Sequence, residues 1–234
     1  MKTLTYQLNQ WESEFFARQI ITLQWLETAD NARNLAPDFD ISKSKLVQAK
    51  VASSDWEAID WLQGQGFQWV EGEVEFRLDL AEIFENPTAC KVAGEGDLID
   101  LQDLFGNAFP HSRFRPPYFS VAENQRFYRQ WITNAVRGQF DDLCLISRSA
   151  SGQLRGGISV KLNGSHAKIG LLAVAEAFQG QGIATELLSA AVAWAKANGA
   201  EQLTISTQIS NLPAINLYQK FGAKIVATAF WFYQ

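Results

Sequence analysis

The stretch Gln179-Gly180-Gln181-Gly182-Ile183-Ala184 joins a predicted strand over 169–174 to a predicted amphipathic helix. Two glycines at such a junction let successive backbone N–H groups point at one spot. The start of the helix adds unpaired N–H groups and the positive end of its dipole. This arrangement predicts a pyrophosphate site that needs no charged side chain. A tight glycine turn that merely connects two elements fits the spacing equally well.

Length, charge and composition exclude several classes of protein. The chain has 234 residues, of which 47% are hydrophobic and 19% charged, as is typical of one large or two small globular domains. A net charge of −5 argues against a nucleic-acid partner. The sequence has no apolar run that could span a bilayer and no signal peptide, and its two cysteines are too few for a disulfide scaffold or a zinc site. We therefore expect a soluble protein of the reducing cytoplasm, with no membrane partner and no metal.

The order of predicted elements indicates a mixed α/β fold in two parts. We predict a first domain over 1–86 and a second over 87–234, because the chain divides near Glu85-Asn-Pro-Thr88. The first domain ends in a strand–helix–strand unit whose helix is expected to begin at Ser54, with a glutamate three residues later as a capping box. The order of elements in the second domain predicts a mixed sheet that is mostly antiparallel at its start, with helices between its later strands.

A short internal match links the two predicted domains. Residues 214–222 align without a gap on residues 58–66, an offset of 156 from 58 to 214. The same offset places the predicted strand 203–207 on 47–51 and the last strand on a strand of the first domain. Chance similarity explains one helix, whereas agreement of three consecutive elements favours a duplicated half-domain. The glycine stretch lands on 23–28, which contains no glycine, so the first domain is predicted to lack the phosphate site.

Two motifs resemble the GNAT N-acetyltransferases. Gln-x-x-Gly-x-Ala after an apolar strand is similar to the acyl-CoA loop of that family, and Asn211…Ala214…Leu217-Tyr218…Phe221-Gly222 is similar to its late helix motif. The resemblance covers about residues 90 to 234. It implies a mostly antiparallel GNAT sheet flanked by helices, preceded by a smaller, incomplete GNAT-like domain. It also implies acetyl-CoA as cosubstrate and direct transfer to an amine, with no acyl-enzyme and no metal.

Further stretches, spread over nearly the whole chain, resemble GNAT enzymes that acetylate the 4-amino group of a dTDP-4-amino-4,6-dideoxy sugar. They are Ala49-Lys-Val-Ala-Ser53, Val70-Glu-Gly-Glu-Val74, Ser112-Arg-Phe-Arg115, Arg126-Phe-Tyr128, Asn134-Ala-Val-Arg-Gly138 and Ala229-Phe-Trp-Phe-Tyr233. This resemblance implies a dTDP-amino sugar as the acceptor. A GNAT enzyme for another amine, or a non-catalytic CoA-binding regulatory module, stays open as an alternative. The apolar last strand also offers a surface for a homodimer.

The residues expected to hold acetyl-CoA lie at the strand end, in the glycine stretch and at the start of the late helix. A backbone N–H at the strand end can donate to the thioester carbonyl, where negative charge grows in the transition state. The family separates two strands at this point, so the strand 203–207 is expected to form the other side of a gap. The full set is Leu172, Ala173, Val174, Gln179, Gly180, Gln181, Gly182, Ile183, Ala184 and Asn211.

Tyr218 is the candidate proton donor to the leaving thiolate. It lies roughly 60–100° around the late helix from the core-facing Leu217 and Phe221, so it need not be buried. A phenol of pKa about 10 is a weaker acid than a thiol of pKa about 8.5, a deficit of roughly 2 kcal/mol that desolvation of the thiolate removes. A packing tyrosine also fits the position. The family resemblance implies that the tyrosine here is the general acid.

The candidate general base is one of three glutamates, Glu71, Glu73 and Glu75, on one face of a predicted strand. Desolvation or mutual repulsion raises the pKa of such carboxyls toward the range that a base needs, whereas a solvated face does not. The resemblance singles out Glu71, acting through water. The predicted active site is then bipartite, with the first domain contributing the base.

Arg113 and Arg115 flank Phe114 in a predicted loop that continues to Tyr118. Guanidinium groups match a diphosphate, and aromatic rings stack on thymine, so these residues are the candidate acceptor-binding set. Ordinary solvent-exposed arginines are the alternative.

Overall fold

The computed structural model describes residues 2–27, 46–82 and 90–234. Within these ranges the elements are, in order, β1 (Lys2–Leu8), α1 (Gln10–Phe16), β2 (Ile20–Glu27), β3 (Leu46–Ala52), α2 (Trp56–Gly64), β4 (Gln68–Asp79), β5 (Lys91–Val92), α3 (Leu98–Ala108), α4 (Val121–Val136), β6 (Leu143–Arg148), β7 (Leu154–Asn163), β8 (His166–Val174), α5 (Ile183–Ala197), β9 (Gln202–Gln208), α6 (Leu212–Lys220) and β10 (Lys224–Tyr233). The mixed α/β order expected from the sequence is confirmed. The predicted domain boundary after residue 86 lies outside the described residues. None of the helices described is both long and apolar enough to cross a membrane.

The chain forms two compact units, and the first contains Met1–Glu73 and Thr228–Gln234. Its strand order is β1-β2-β3-β10-β4. The β1/β2 and β3/β10 pairs are antiparallel, and the β2/β3 pair is parallel. Helix α2 buries Ala58, Ile59 and Leu62 in a core with apolar residues of β2, β3 and β10.

The second unit, Val74–Ala227, has the strand order β4-β9-β8-β7-β6-β5. Strands β5 to β8 are antiparallel neighbours, and β8 and β9 are parallel. The sheet is therefore mostly antiparallel at its start, as the sequence predicts. Its main core joins the sheet to α5 and α6.

Two adjacent glycines of β7 let helices approach both faces of the second sheet. A Cβ on Gly156 would lie 3.1 Å from Leu187 of α5, and a Cβ on Gly157 would lie 3.1 Å from both Leu101 and Phe105 of α3. Because successive residues of a strand point to opposite faces, α5 and α3 cover opposite sides of this sheet. The sheet end near α5 and α3 is where the candidate site lies.

Strand β4 follows its sequence pattern, whereas the start of α2 is displaced by one residue. The alternating apolar residues of β4 are buried, from Val70 at 2% exposure to Leu78 at 1%. The predicted helix start at Ser54 is wrong: Asp55 is the N-cap, and its Oδ1 accepts the N–H of Ala58 at 3.4 Å. A carboxylate is as good a cap as a serine hydroxyl, and here the carboxylate lies at the cap position.

The sequence match corresponds to a repeat of structure. Under the offset of 156, the first residues of β3, α2 and β4 map onto the first residues of β9, α6 and β10, and the last residues of β3 and α2 map onto those of β9 and α6. Each helix is followed by a glycine of positive φ, Gly66 at +87° and Gly222 at +98°. The parallel pairs β2/β3 and β8/β9 each stop after four residue pairs. The three-element repeat is therefore more than a chance similarity of two helices.

Candidate active site

Strands β8 and β9 separate toward their carboxyl ends. Their pairing stops at Ile169 and Ile205, although β8 continues to Val174 and β9 to Gln208. On its other edge β8 stays paired with β7 as far as Val174. The gap expected from the sequence is confirmed, and β9 forms its other side.

Two backbone N–H groups of β8 face this gap. The N–H of Leu171 donates to Ser159 Oγ of β7 at 3.0 Å, and the N–H of Ala175 donates to a β7 carbonyl at 2.9 Å. Because successive N–H groups along a strand alternate between its edges, those of Leu172 and Val174 point away from β7 and toward β9. The strand end at which the sequence analysis expects a donor to the thioester carbonyl therefore presents two N–H groups to the gap.

The glycine stretch takes the backbone conformation that its residues permit. Gly180 and Gly182 have φ of +72° and +80°, a region that other residues avoid, and Gly182 is the N-cap of α5. No side chain caps the start of α5, and the N–H of Glu186 makes the first helical bond, to the Gly182 carbonyl at 3.0 Å. The N–H groups of residues 183–185 therefore have no acceptor within the helix. Unpaired N–H groups at a helix start can donate to an anion.

Both glutamines of the stretch support the turn through their side chains. Gln179 Nε2 donates to the carbonyl oxygen of Val174 at 3.3 Å, and Gln181 Nε2 donates to that of Ala177 at 3.0 Å. These bonds connect the glycine stretch to the end of β8 and to the turn that follows it. The glutamine amides therefore link the turn to the strand end beside the gap.

A cavity of about 1200 Å³ opens between the ends of β8 and β9 and helix α3. Five of the predicted acetyl-CoA residues line it: Leu172, Ala173, Val174, Gln179 and Asn211. Residues 180–184 continue the chain from this wall and are not part of the lining. The structure thus brings the strand end, the first residue of the glycine stretch and the start of the late helix to one cavity.

Asn211 uses its side chain as the cap of α6. Its Oδ1 accepts the N–H of Ala214 at 3.3 Å, and its Nδ2 donates to Thr207 Oγ1 at 3.1 Å. Both side-chain groups have partners in the chain, so Asn211 ties β9 to α6 at the edge of the cavity. Its predicted place beside acetyl-CoA does not require a side-chain contact with the cosubstrate.

Helix α3 forms a wall of the cavity that the sequence pattern did not reveal. Asp100, Asp103 and Asn107 line the cavity. Their spacing of three and four residues places them on one helix face, and this is the signal that could have identified the wall. Arg148 of β6 anchors α3, with Nη2 at 2.6 Å from Asp97 Oδ1 and Nη1 at 2.9 Å from Asp100 Oδ2.

Tyr218 is buried, and the prediction that it need not be is wrong. Its exposure is 5%, and its ring centroid lies 5.4 Å from that of Phe76 on β4, whereas Leu217 and Phe221 are only half-buried. Helix α6 turns Tyr218 toward the core because it packs on β4 through this residue. Burial raises the pKa of the Tyr218 phenol, so the hydroxyl keeps its proton. Among the residues described, none hydrogen-bonds this hydroxyl, and Tyr218 is not part of the cavity lining.

The loop with Arg113 and Arg115 follows the cavity wall without being part of its lining. The Arg113 guanidinium lies 4.0 Å from the ring centroid of Phe114, which is 3% exposed and cannot stack on a base. Arg113, Arg115 and Tyr118 are half-buried. Burial raises the pKa of Tyr118, and the charge of Arg115 opposes that rise. Both arginines are therefore partly exposed, which is compatible with an acceptor-binding role and with ordinary surface arginines alike.

Glu71 belongs to the first unit, where β4 buries it to 8% exposure. Its Oε1 accepts the N–H of Gly72 at 3.0 Å. The next glutamate, Glu73, is in an ion pair with Lys50 at 2.6 Å and accepts a hydrogen bond from Trp231 Nε1 at 3.0 Å. This strand face is therefore not the solvated row of carboxylates that was the alternative.

Two comparisons with known proteins decide the family. The family model described as Acetyltransferase (GNAT) family matches residues 99–223, more than half of the chain. The chain is also 40% identical over 225 residues to the dTDP-fucosamine acetyltransferase of Escherichia coli O6:H1, which covers 96% of this chain and 95% of that protein. The chain belongs to the GNAT acetyltransferase family. Its members use acetyl-CoA, and this chain is therefore a GNAT N-acetyltransferase.

The chain is also similar to a second sequence relative and to solved GNAT structures. A spore coat polysaccharide biosynthesis protein of Bacillus subtilis is 22% identical over 231 residues, which are 94% of this chain and 78% of that protein. The tandem GNAT protein from the clavulanic acid biosynthesis pathway has a TM-score of 0.63 at 13% identity, over 92% of this chain and 74% of that one. A GCN5-related N-acetyltransferase from Sphaerobacter thermophilus has a TM-score of 0.61 at 17% identity, over 81% of this chain and 59% of that one. The expected fold, a GNAT domain preceded by a further region, is confirmed.

Proposed function

We propose that this GNAT enzyme transfers the acetyl group of acetyl-CoA to the 4-amino group of a dTDP-4-amino-4,6-dideoxy sugar. The observation that carries the proposal is the 40% identity to a dTDP-fucosamine acetyltransferase over 96% of the chain. That similarity extends beyond the family match at 99–223 into the first unit.

The glycine stretch and the start of α5 are the proposed pyrophosphate site of acetyl-CoA. Positive φ at Gly180 and Gly182 and the uncapped N–H groups of 183–185 supply donors without a charged side chain. The N–H groups of Leu172 and Val174 then face the gap, where they can donate to the thioester carbonyl oxygen. Such donors stabilise the negative charge that grows on this oxygen in the transition state.

Tyr218 is the proposed general acid. The neutral amine attacks the thioester carbonyl carbon, the C–S bond breaks, and the phenol gives its proton to the thiolate. Burial keeps the phenol protonated, and it also penalises a thiolate formed in the same desolvated place. Burial of the phenol adds to the deficit of about 2 kcal/mol between the free groups, and desolvation of the thiolate acts in the opposite direction.

Glu71 is the proposed general base, acting through a water molecule on the proton that the amine loses. Its carboxylate is buried, as the desolvated base of the sequence-based hypothesis requires. Glu73 is the weaker candidate, because the ion pair with Lys50 and the bond from Trp231 stabilise its charged form and make it a poorer base. The domain that contributes Glu71 is proposed to be an incomplete copy of the GNAT fold, in agreement with the repeat of β3, α2 and β4 in β9, α6 and β10.

Arg113, Arg115 and Tyr118 are the proposed binding set for the dTDP diphosphate and base. An acidic protein that binds an anionic nucleotide sugar needs a local positive patch, and guanidinium groups match phosphate oxygens in pairs. Homodimerisation is proposed through β10, where Ile225 and Val226 are 50% and 40% exposed. Sedimentation of the protein and of Ile225→Lys tests this second point, because a dimer formed elsewhere would survive the substitution.

The deciding experiment measures thiol release from acetyl-CoA with a panel of dTDP-amino sugars, polyamines and peptide amino termini. We expect release to depend on a dTDP-4-amino sugar and to be weak with the other amines. Release with another amine alone would replace the proposed acceptor. CoA binding without release for any acceptor would favour a regulatory module.

A further inference from the structure

Strand β8 carries a bulge at the point where it leaves β9. Ile158 of β7 pairs with Leu172, and Val160 pairs with Ile169, so two residues of β8 lie opposite the single residue Ser159. A bulge re-aims the backbone and leaves a ladder group without its usual partner. The gap-facing N–H of Leu172 begins directly after this bulge, so the geometry of the bulge determines where that N–H points.

Ser159 provides a side-chain acceptor at the bulge. Its Oγ accepts the N–H of Leu171 at 3.0 Å, and its hydroxyl opposes the rise in the pKa of the neighbouring Asp141 carboxyl that burial causes. Asp141 Oδ2 also accepts Trp131 Nε1 of α4 at 3.2 Å. Ser159 is fully buried and Asp141 is 2% exposed, so water does not compete for these bonds. Trp131, Asp141 and Ser159 therefore connect α4 to the backbone of the bulge.

Gly170 leaves room for the side chains of Asp141 and Ser159 at the bulge. A Cβ at this position would lie 2.5 Å from Asp141 Oδ2 and 2.8 Å from Ser159 Oγ, which are closer than real contacts allow. The carboxylate and the hydroxyl thus occupy the space that a side chain at Gly170 would need. The chain accepts a buried carboxylate in contact with its own backbone here, although burial raises the pKa of Asp141 by disfavouring its charge.

We propose that Ser159 and Asp141 are positioning residues that aim the Leu172 N–H at the thioester carbonyl of acetyl-CoA. The proposal rests on the proposed role of that N–H as the donor to the carbonyl. It predicts that loss of either side chain slows the chemical step and leaves the affinity of the glycine stretch for CoA unchanged. A small displacement of such a donor lowers the rate steeply, by about tenfold to a hundredfold.

The test compares the wild-type enzyme with Ser159→Ala and the isosteric Asp141→Asn. We expect Ser159→Ala to lower kcat by about tenfold to a hundredfold, with the Kd of CoA unchanged. Asp141→Asn is expected to fall between this variant and wild type. The second readout is the infrared carbonyl stretch of bound [1-13C]acetyl-CoA, which needs no acceptor. Its shift to lower frequency on binding reports the hydrogen bond to the thioester and should shrink in both variants.

Thr133→Ala is the matched control, because Thr133 is also buried and its hydroxyl also makes two hydrogen bonds: it donates to the Arg129 carbonyl at 2.7 Å and accepts from Gln102 Nε2 at 2.8 Å. It should lower the melting temperature and leave kcat and the carbonyl frequency at wild-type values. Ser159→Ala indistinguishable from this control would overturn the proposal, as would a wild-type enzyme with no shift on binding. If no dTDP-amino sugar is acetylated but Ser159→Ala still removes the shift, the proposed acceptor fails and the positioning role stands.

Discussion

Asp55 and Asn211 occupy equivalent positions in the structural repeat, and each caps the helix that follows it. Asp55 Oδ1 accepts the N–H of Ala58 at 3.4 Å, and Asn211 Oδ1 accepts the N–H of Ala214 at 3.3 Å. The two N–H donors are equivalent positions of the repeat as well. One member of the pair lines the cavity of the second unit, whereas the other caps a helix of the first. The same helix cap is therefore present in the copy that carries the candidate site and in the copy that lacks the glycine stretch.

The same equivalence explains why Tyr218 is buried. Its counterpart in the first unit is Leu62, which is fully buried. The backbone carbonyls of both residues accept an N–H from beyond their helix, Leu62 from Phe67 at 3.0 Å and Tyr218 from Ala223 at 2.9 Å. The position is a core position in both copies. The second copy has a tyrosine where the first has a leucine, and its phenol hydroxyl is the group that the proposed reaction needs.

Removal of the two helix caps separates stability from cosubstrate binding. Asp55→Ala and Asn211→Ala should each lower the free energy of unfolding by about 1 kcal/mol, because a helix N–H loses its acceptor. Asn211→Asp should stay close to wild type, since aspartate also caps. Urea unfolding measures stability and calorimetry measures the Kd of CoA. We expect a weaker CoA affinity for Asn211→Ala and not for Asp55→Ala; equal affinities would remove Asn211 from the cosubstrate site.

Substitution of Gly182 by alanine should weaken CoA binding by about tenfold, because a Cβ disfavours the backbone conformation that aims the N–H groups. Gly199→Ala at the other end of α5 is the matched control. The two glycines have φ of +80° and +84°, and a Cβ at either would have no neighbouring atom within 4 Å. Both variants should lose about 1 kcal/mol of stability. A CoA affinity that falls equally in both would contradict a pyrophosphate site at Gly182.

Loss of the Tyr218 hydroxyl should slow catalysis with little effect on binding. Tyr218→Phe is expected to lower kcat by a factor of about 10² to 10⁴, the usual contribution of a general acid, while the Kd of CoA stays near wild type. Tyr218→Leu carries the residue of the equivalent core position and tests whether packing alone accounts for the effect. Because burial raises the phenol pKa, wild-type activity should not decline through its ionisation below about pH 10. Full activity in Tyr218→Phe would remove it from the proposed role.

Arg115→Ala should raise the KM of the dTDP-amino sugar by about tenfold and leave the KM of acetyl-CoA unchanged, because it removes one guanidinium from the proposed diphosphate site. The effect should shrink at high salt, which screens the charge pair. Arg137→Ala is the control: Arg137 is an exposed arginine in an ion pair with Glu95 at 2.9 Å. Initial rates at varied acceptor concentration give this KM. An equal rise in the KM of Arg115→Ala and Arg137→Ala would indicate a general effect of charge and not a diphosphate site.

The sequence predicts the backbone of this site better than its side-chain burial. The glycine turn, the strand end and the gap follow from residues whose conformational needs are local, such as the positive φ of Gly180. Burial of Tyr218 depends on where Phe76 of β4 lies, a contact between residues far apart in the chain. The sequence does not reveal the α3 wall at Asp103 for a similar reason, since a polar helix face that lines a cavity has the same pattern as one that faces solvent.

Glu71→Gln should abolish most of the activity and remove one titration from the pH profile. A general base works in its ionised form, so its contribution to kcat/KM for the acceptor is lost as the pH falls through its pKa. Glutamine keeps the shape of Glu71 and its acceptor for the Gly72 N–H, but it takes up no proton. We expect a fall of about 10² to 10⁴ in kcat/KM. The acidic limb that remains should be that of the acceptor amine alone.

Glu75→Gln is the matched control for this prediction, because Glu75 lies on the same strand and is half-buried. It should keep the wild-type rate and the wild-type pH profile. If Glu71→Gln retains the acidic limb of wild type, the base lies elsewhere, whatever the loss in rate. If both substitutions lower the rate equally without changing the profile, the row of carboxylates acts on the stability of β4 and not on the proton of the amine.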